Sequence, residues 1–188
     1  MMPPLTPTSS LANEKKPELL NSPREVHCLL YDRASGKVVG AVASDQVKTT
    51  LAEQPDYFAW IYLLRPESEV LQQIKQDFGL HELAIEDTTA LFQRTKIESY
   101  GDTLFVVFST VSQNAQQDKL EFGSSNIFLT DRYIISVRQS DALCEKQVAS
   151  LCEASPHQVM YGPAYIFYAL MNCLVEQYLP AIAHLHER

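Results

Sequence analysis

The chain has 188 residues, 46% of them hydrophobic, and carries 23 acidic against 15 basic side chains for a formal charge of −8. That length and apolar content support one substantial core without excluding a second domain. The acidic balance, with no basic cluster larger than Lys15-Lys16, argues against a nucleic-acid backbone as partner and suits cations better. The cysteines at positions 28, 144, 152 and 173 show no paired spacing, which argues against a disulfide framework or a zinc knuckle and leaves them as small buried hydrophobes in a reducing compartment.

Residues 1–22 are rich in Pro, Ser and Thr and lack the apolar stretch of a secretory signal, so they are expected to be a disordered leader before a single domain over 23–188. Val26 to Tyr31 and Lys37 to Ala43, joined by Arg33-Ala34-Ser35-Gly36, predict a β-hairpin. Phe58 to Leu64 is a nearly continuous apolar run, as expected for a central strand covered on both faces. Pro66, Glu67 and Glu69 form a helix-start signature, with proline in the first turn and carboxylates at the positive end of the macrodipole. Val70, Leu71, Ile74 and Phe78 follow at helical spacing, and Gly79 offers a left-handed cap. A short helix is predicted from near His81 through Ile85.

Thr95 to Tyr100 alternates, Gly101-Asp102 makes a turn, and Thr103 to Val111 reads as a strong strand. Phe122 to Thr130 and Tyr133 to Arg138 form a second hairpin around Asp131-Arg132. Ser140-Asp141 caps a helix with Cys144, Val148, Leu151 and Cys152 on one stripe, ended by Pro156. Gly162-Pro163 opens a last helix that runs into the C-terminus without a stop signal. The order predicts an α/β fold, a layered α/β/α sandwich around a mixed β-sheet that ends in a truncated long helix. The longest apolar run, Ala164 to Val175 with Asn172 inside it, stops at Glu176, short of the ~20 residues a bilayer demands. Membrane attachment is therefore expected only through later segments.

The richest polar cluster is His81-Glu82-Leu83-Ala84-Ile85-Glu86-Asp87, where Glu82 and Glu86 share a helical face. Ile85 breaks the H-E-x-x-H pattern of zinc proteases. Two readings stay open: a solvated acidic face, or a hard-cation site of oxygen ligands acting through water. Glycine-rich nucleotide loops and a G-x-S-x-G elbow are absent, and His184 and His186 at i,i+2 make a poor chelate. Trp60, Tyr62 and the Tyr165/Phe167/Tyr168 group read as packing aromatics.

Several blocks, in order and with matching spacing, resemble the CorA-like divalent metal-ion transporters. Trp60-Ile61-Tyr62-Leu63 with Gly79-Leu80-His81 is similar to the family's W-I-(D/N)-L … G-(L/I)-H stretch. Leu83 to Asp87, Gln93 to Tyr100 and Asp102 to Val107 are similar to its h-x-L-A-L-E-D … Q-R-P-K-V-E-x-Y-x-x-Y-L-F-h-V pattern, with Thr95 in place of the common proline. Asn126 to Leu129 with Val137-Arg138 resembles its paired strands, and Pro163 to Leu170 its Y-L-L-Y-x-L helix start.

The resemblance implies a cytoplasmic cation-sensing and gating domain of a homopentameric Mg²⁺ channel, lying at the inner face of the cell membrane. Co²⁺ or Ni²⁺ is carried by some members, and a zinc-transporting branch shares the architecture. It implies no enzyme activity and a regulatory, partly hydrated Mg²⁺, with Co²⁺ as an alternative, held between identical subunits. By position the metal residues would be Glu86 and Asp87 together with Asn172 and Glu176, where the family more often has Asp at the Asn172 position. The opposing carboxylate and the G-M-N pore motif would lie beyond Arg188. The rival readings are a soluble regulatory module using the same fold without a channel, and a metal-dependent enzyme, for which no candidate residues emerge.

Overall fold

A computed structural model describes residues 26–90, 94–114, 119–139 and 143–186. The leader and the Ser140-Asp141 cap lie outside these described residues. Strands β1 (Val26–Asp32) and β2 (Lys37–Ala41) form the expected antiparallel hairpin. Its turn is closed by the Asp32 carboxylate, which accepts from the Ala34 N–H at 3.0 Å and the Ser35 hydroxyl at 2.6 Å. Gly36 has φ 66°, and a Cβ there would come within 1.8 Å of the Pro156 carbonyl oxygen, so both conformation and space demand glycine.

The chain then enters α1 (Ser44–Glu53), a helix the sequence pattern did not suggest. Only Val47 and Leu51 are buried along it, too sparse a period to stand out, and its end is held from elsewhere in the chain. Arg132 supplies that hold. Its guanidinium donates to the carbonyls of Leu51 at 2.5 Å, Gln54 at 3.1 Å and Tyr57 at 3.3 Å.

Strand β3 (Tyr57–Leu64) is buried from Phe58 onward, as its apolar run requires. Helix α2 (Ser68–Phe78) starts later than the sequence suggested: Pro66 precedes the N-cap Glu67 instead of occupying the first turn. It buries Leu71, Ile74 and Phe78 and ends at Gly79 in the left-handed region, φ 64° and ψ 36°. Helix α3 (Glu82–Thr89) is capped by His81, whose Nδ1 accepts from the Leu83 N–H at 3.3 Å.

Strands β4 (Lys96–Tyr100), β5 (Thr103–Asn114), β6 (Lys119–Leu129) and β7 (Tyr133–Arg138) follow. The β5–β6 ribbon is longer than expected and outruns its neighbours, since β4 pairs only up to Val107 and β7 only down to Ser125. The helices α4 (Leu143–Ala154), α5 (Pro156–Val159), α6 (Pro163–Glu176) and α7 (Tyr178–His186) complete the described chain. Pro156 both ends α4 and starts α5. Leu151, expected on the buried stripe of α4, is 43% exposed, because Cys144, Val148 and Cys152 at i,i+4,i+8 already fill the face toward the sheet.

The sheet is seven-stranded in the order β2-β1-β3-β7-β6-β5-β4, antiparallel except for the parallel β3–β7 pair. β3 is an interior strand, one place from the centre that β7 occupies. Alternation along β3 sends Trp60, Tyr62 and Leu64 into one core, with residues of α4, α5 and α6. It sends Ala59, Ile61 and Leu63 into another, with α1, α2 and α3. The α/β/α sandwich around a mixed sheet is therefore the observed fold, and Trp60 and Tyr62 are core, as read from sequence.

The last helix is interrupted at Gln177, between α6 and α7. Pro180 explains the break: it has no N–H to give to the Glu176 carbonyl. Helical structure nevertheless continues past Glu176, and Pro163–Ala183 spans 21 residues, long and apolar enough by length and composition to cross a bilayer. Ile166, Ala169, Leu170, Cys173 and Leu174 of this stretch are packed in the core against the sheet, while Tyr168, Val175, Leu179 and Ile182 are exposed.

Candidate cation site

Helix α3 turns Ala84, Ile85 and Thr88 into the core, which leaves Glu86 exposed and Asp87 half-buried at its C-terminal end. The helix ends where Ala90 turns extended, φ −74° and ψ 134°, and the Thr88 and Thr89 hydroxyls donate to the carbonyls of Ile85 at 2.7 Å and Glu86 at 2.9 Å in its last turn. Gln139 adds a donor to the Thr88 carbonyl at 3.4 Å.

Asp87 faces β4. The alternation of that strand places Lys96, Glu98 and Tyr100 on one side, all half-buried, with Ile97 and Ser99 exposed on the other. The Lys96 ammonium lies 2.6 Å from Asp87 Oδ2 and 3.0 Å from Glu98 Oε1. The Tyr100 hydroxyl donates to Glu98 Oε2 at 2.8 Å. His81 stacks on the Tyr100 ring at 4.2 Å, and Glu82 pairs with Lys75. The Lys96 ammonium sits 6.0 Å from the centroid of the Phe105 ring.

These contacts set the electrostatics. The hydrogen bond from Tyr100, then that from Lys96, lowers the Glu98 carboxyl below its ordinary range. Asp87 first and Glu98 second raise the Lys96 ammonium. Glu98 raises the Tyr100 hydroxyl. The sequence reading singled out Asp87 here and missed Lys96, Glu98 and Tyr100 as a cluster. The signal was present in the K-x-E-x-Y alternation of an edge strand. A cavity of about 350 Å³ adjoins the cluster between Gly79, His81, Tyr100, Gly101 and Thr103, floored by Phe128.

Asn172 and Glu176 lie on α6, on the opposite face of the sheet from α3. Both are exposed, and the Asn172 amide donates to Glu176 Oε1 at 3.0 Å, one turn along the helix. The four residues named from sequence thus form two separate pairs, Glu86 with Asp87 and Asn172 with Glu176, and one chain does not bring them together. Among the described residues no three His, Cys, Asp or Glu side chains converge on a point that would hold a metal. Carboxylate and amide oxygens suit a hydrated hard cation such as Mg²⁺, but each pair is too few to enclose one without donors from another subunit.

Two further sets of groups are buried in the structure. Arg138 and Glu145 form a buried pair at 3.4 Å that ties the end of β7 to α4. All four cysteines are buried free thiols, and burial pushes Cys28 and Cys152 up to about 12, so neither is a ready nucleophile.

This α/β/α domain on a seven-stranded mixed sheet is similar in fold to the soluble domain of CorA from Methanocaldococcus jannaschii. The two superpose with a TM-score of 0.66 at 13% identity, over 87% of this chain and 60% of that one. The chain belongs to the family of CorA-like Mg²⁺ transporter proteins, whose profile matches residues 55–188. It is 28% identical over 137 residues to the putative metal ion transporter YfjQ of Bacillus subtilis (strain 168), covering 72% of this chain and 42% of that protein. It is 21% identical over 119 residues to the cobalt/magnesium transport protein CorA of Thermotoga maritima, covering 59% of this chain and 32% of that protein. The chain therefore spans less than half the length of these curated relatives.

Proposed function

We propose that this chain is the cytoplasmic cation-sensing and gating domain of a homopentameric channel for divalent cations, with Mg²⁺ as the regulatory and transported ion and Co²⁺ as a second cargo. Family membership over residues 55–188 supports the transport reading. The observation that carries the sensing role is the placement of the two pairs on opposite faces of the sheet. A cyclic ring joins different surfaces of neighbouring subunits, so Glu86 and Asp87 on one face can meet a neighbour that presents another face, and donors too few in one chain become sufficient between two.

The mechanism is electrostatic. Carboxylates brought together across a subunit interface repel, by on the order of 4 kcal/mol per contact at ~4 Å and an effective dielectric of ~20 before screening. A divalent cation between them removes that repulsion and favours the closed, symmetric ring. Falling cation concentration releases it. The bias exists only to the extent that the cation binds one state better than the other.

The test is Mg²⁺ uptake by the transporter reconstituted in liposomes, with Co²⁺ and Zn²⁺ run in parallel. Replacing Glu86 and Asp87 together by Ala is expected to leave the protein folded and to weaken inhibition by internal Mg²⁺ about tenfold. Unaltered inhibition removes the two residues from the sensor, and preferential Zn²⁺ uptake reassigns the cargo.

A further inference from the structure

We infer that Lys96 is a built-in competitor for the cation at Asp87: its ammonium occupies the position between Asp87 and Glu98 that a divalent ion would take, and so sets the concentration at which the ion binds. The inference deepens the sensing role proposed above and rests on Asp87 being a cation residue.

The geometry is that of a small cation shared by two carboxylates. One Lys96 nitrogen lies 2.6 Å from Asp87 Oδ2 and 3.0 Å from Glu98 Oε1. The two oxygens, on different elements, α3 and β4, converge on that one nitrogen. Asp87 lies in the last turn of α3, where the Thr88 and Thr89 hydroxyls donate to the Ile85 and Glu86 carbonyls. Glu98 is oriented by the Tyr100 hydroxyl at 2.8 Å, and the Tyr100 ring is itself stacked on His81 at 4.2 Å. The occupant can leave: Lys96 is on the edge strand β4, and its side chain is 31% exposed.

Swinging the ammonium into water leaves the Asp87 and Glu98 carboxylates facing one space, beside the exposed Glu86. A divalent cation that enters replaces one positive charge by two, so binding is an exchange reaction. A tethered ammonium is always present at high local concentration, which raises the free cation level needed to displace it. Exposed lysine–carboxylate pairs shift equilibria by at most about fivefold, which is the expected size of the effect.

The probe is Mn²⁺, whose paramagnetism broadens the amide resonances of residues around a bound ion, titrated at millimolar concentration into the 188-residue chain. Lys96→Met keeps the stem over Phe105 and removes the charge, and is expected to tighten binding at the α3–β4 cluster about three- to fivefold. Lys96→Arg, which keeps the charge, is expected to remain within about twofold of the unsubstituted chain. Loss of the broadening on Asp87→Asn, together with tighter binding in Lys96→Met, supports the inference. Unchanged affinity in Lys96→Met, with Asp87→Asn still abolishing binding, overturns the competitor role and leaves the cation role of Asp87 standing. Indifference to Asp87→Asn, or no broadening in any variant, overturns the inference that Asp87 and Glu98 of one chain take a cation in exchange for Lys96, and leaves the role of Asp87 between subunits to the uptake experiment above.

Discussion

At the scale of single residues, two side chains carry predictions about charge. The Asn172 amide donates to Glu176 one turn away. Asn172→Asp turns that hydrogen bond into a like-charge i,i+4 pair, which is expected to destabilise the domain by about 0.5 kcal/mol in urea unfolding without divalent ions. If the pair faces a cation, millimolar Mg²⁺ restores the loss and binds more tightly to the variant. A deficit that Mg²⁺ does not touch removes the position from the site. Glu98 makes a pH prediction. Its carboxyl is lowered by Tyr100 and Lys96, so the ionised form is favoured in the folded state. Its stabilising contribution is complete above the unfolded carboxyl value and is lost as pH falls through the folded one. Tyr100→Phe removes the first of the two causes, and carbon-detected NMR titration of Glu98 should find its midpoint moved up toward the ordinary carboxylate range.

At the scale of elements, α1 shows how a segment with a faint pattern becomes a helix. Val47 and Leu51 are its only buried residues, yet three carbonyls at and beyond its end are held by Arg132, a residue in the β6–β7 turn. Arg132→Met keeps the aliphatic stem and deletes the donors. The expected cost is about 2 kcal/mol, seen as an earlier urea midpoint, with α1 amides losing hydrogen-exchange protection before those of β3. Equal loss of protection throughout the sheet would mean that Arg132 supports the fold as a whole and not α1 in particular. The interruption at Gln177 has the opposite origin, entirely local, because Pro180 removes a helix donor whatever surrounds it.

At the scale of the whole molecule, α6 and α7 bury one side against the sheet and expose Tyr168, Val175, Leu179 and Ile182 on the other. If the contacts that hold a pentamer lie beyond Arg188, as the family resemblance implies, the 188-residue chain should sediment as a monomer or weak associate at micromolar concentration. A tight pentamer without metal would place the assembly energy in the α/β/α domain itself. Either outcome bears on how two half-sites on opposite faces of one subunit come to share an ion.

Much of this was legible in the sequence, because it depends on local chemistry and period. The apolar run of β3, the alternation of β4, the spacing of Leu71, Ile74 and Phe78 and the left-handed Gly79 are consequences of which residues must be buried and which backbone angles glycine alone tolerates. Motif order extended this to the family, and it pointed to Glu86 and Asp87. Tertiary structure decided the rest, because the remaining facts concern residues far apart in the chain. Arg132 on α1, Gly36 against Pro156 and the exposure of Leu151 depend on what packs opposite. So does the site: no local pattern brings Asp87 of α3 onto Lys96 and Glu98 of β4, or sets Asn172 and Glu176 on the far side of the sheet. Charge can be counted along a chain, but which charge neutralises which is settled only by the distance between them, and the fold sets that distance.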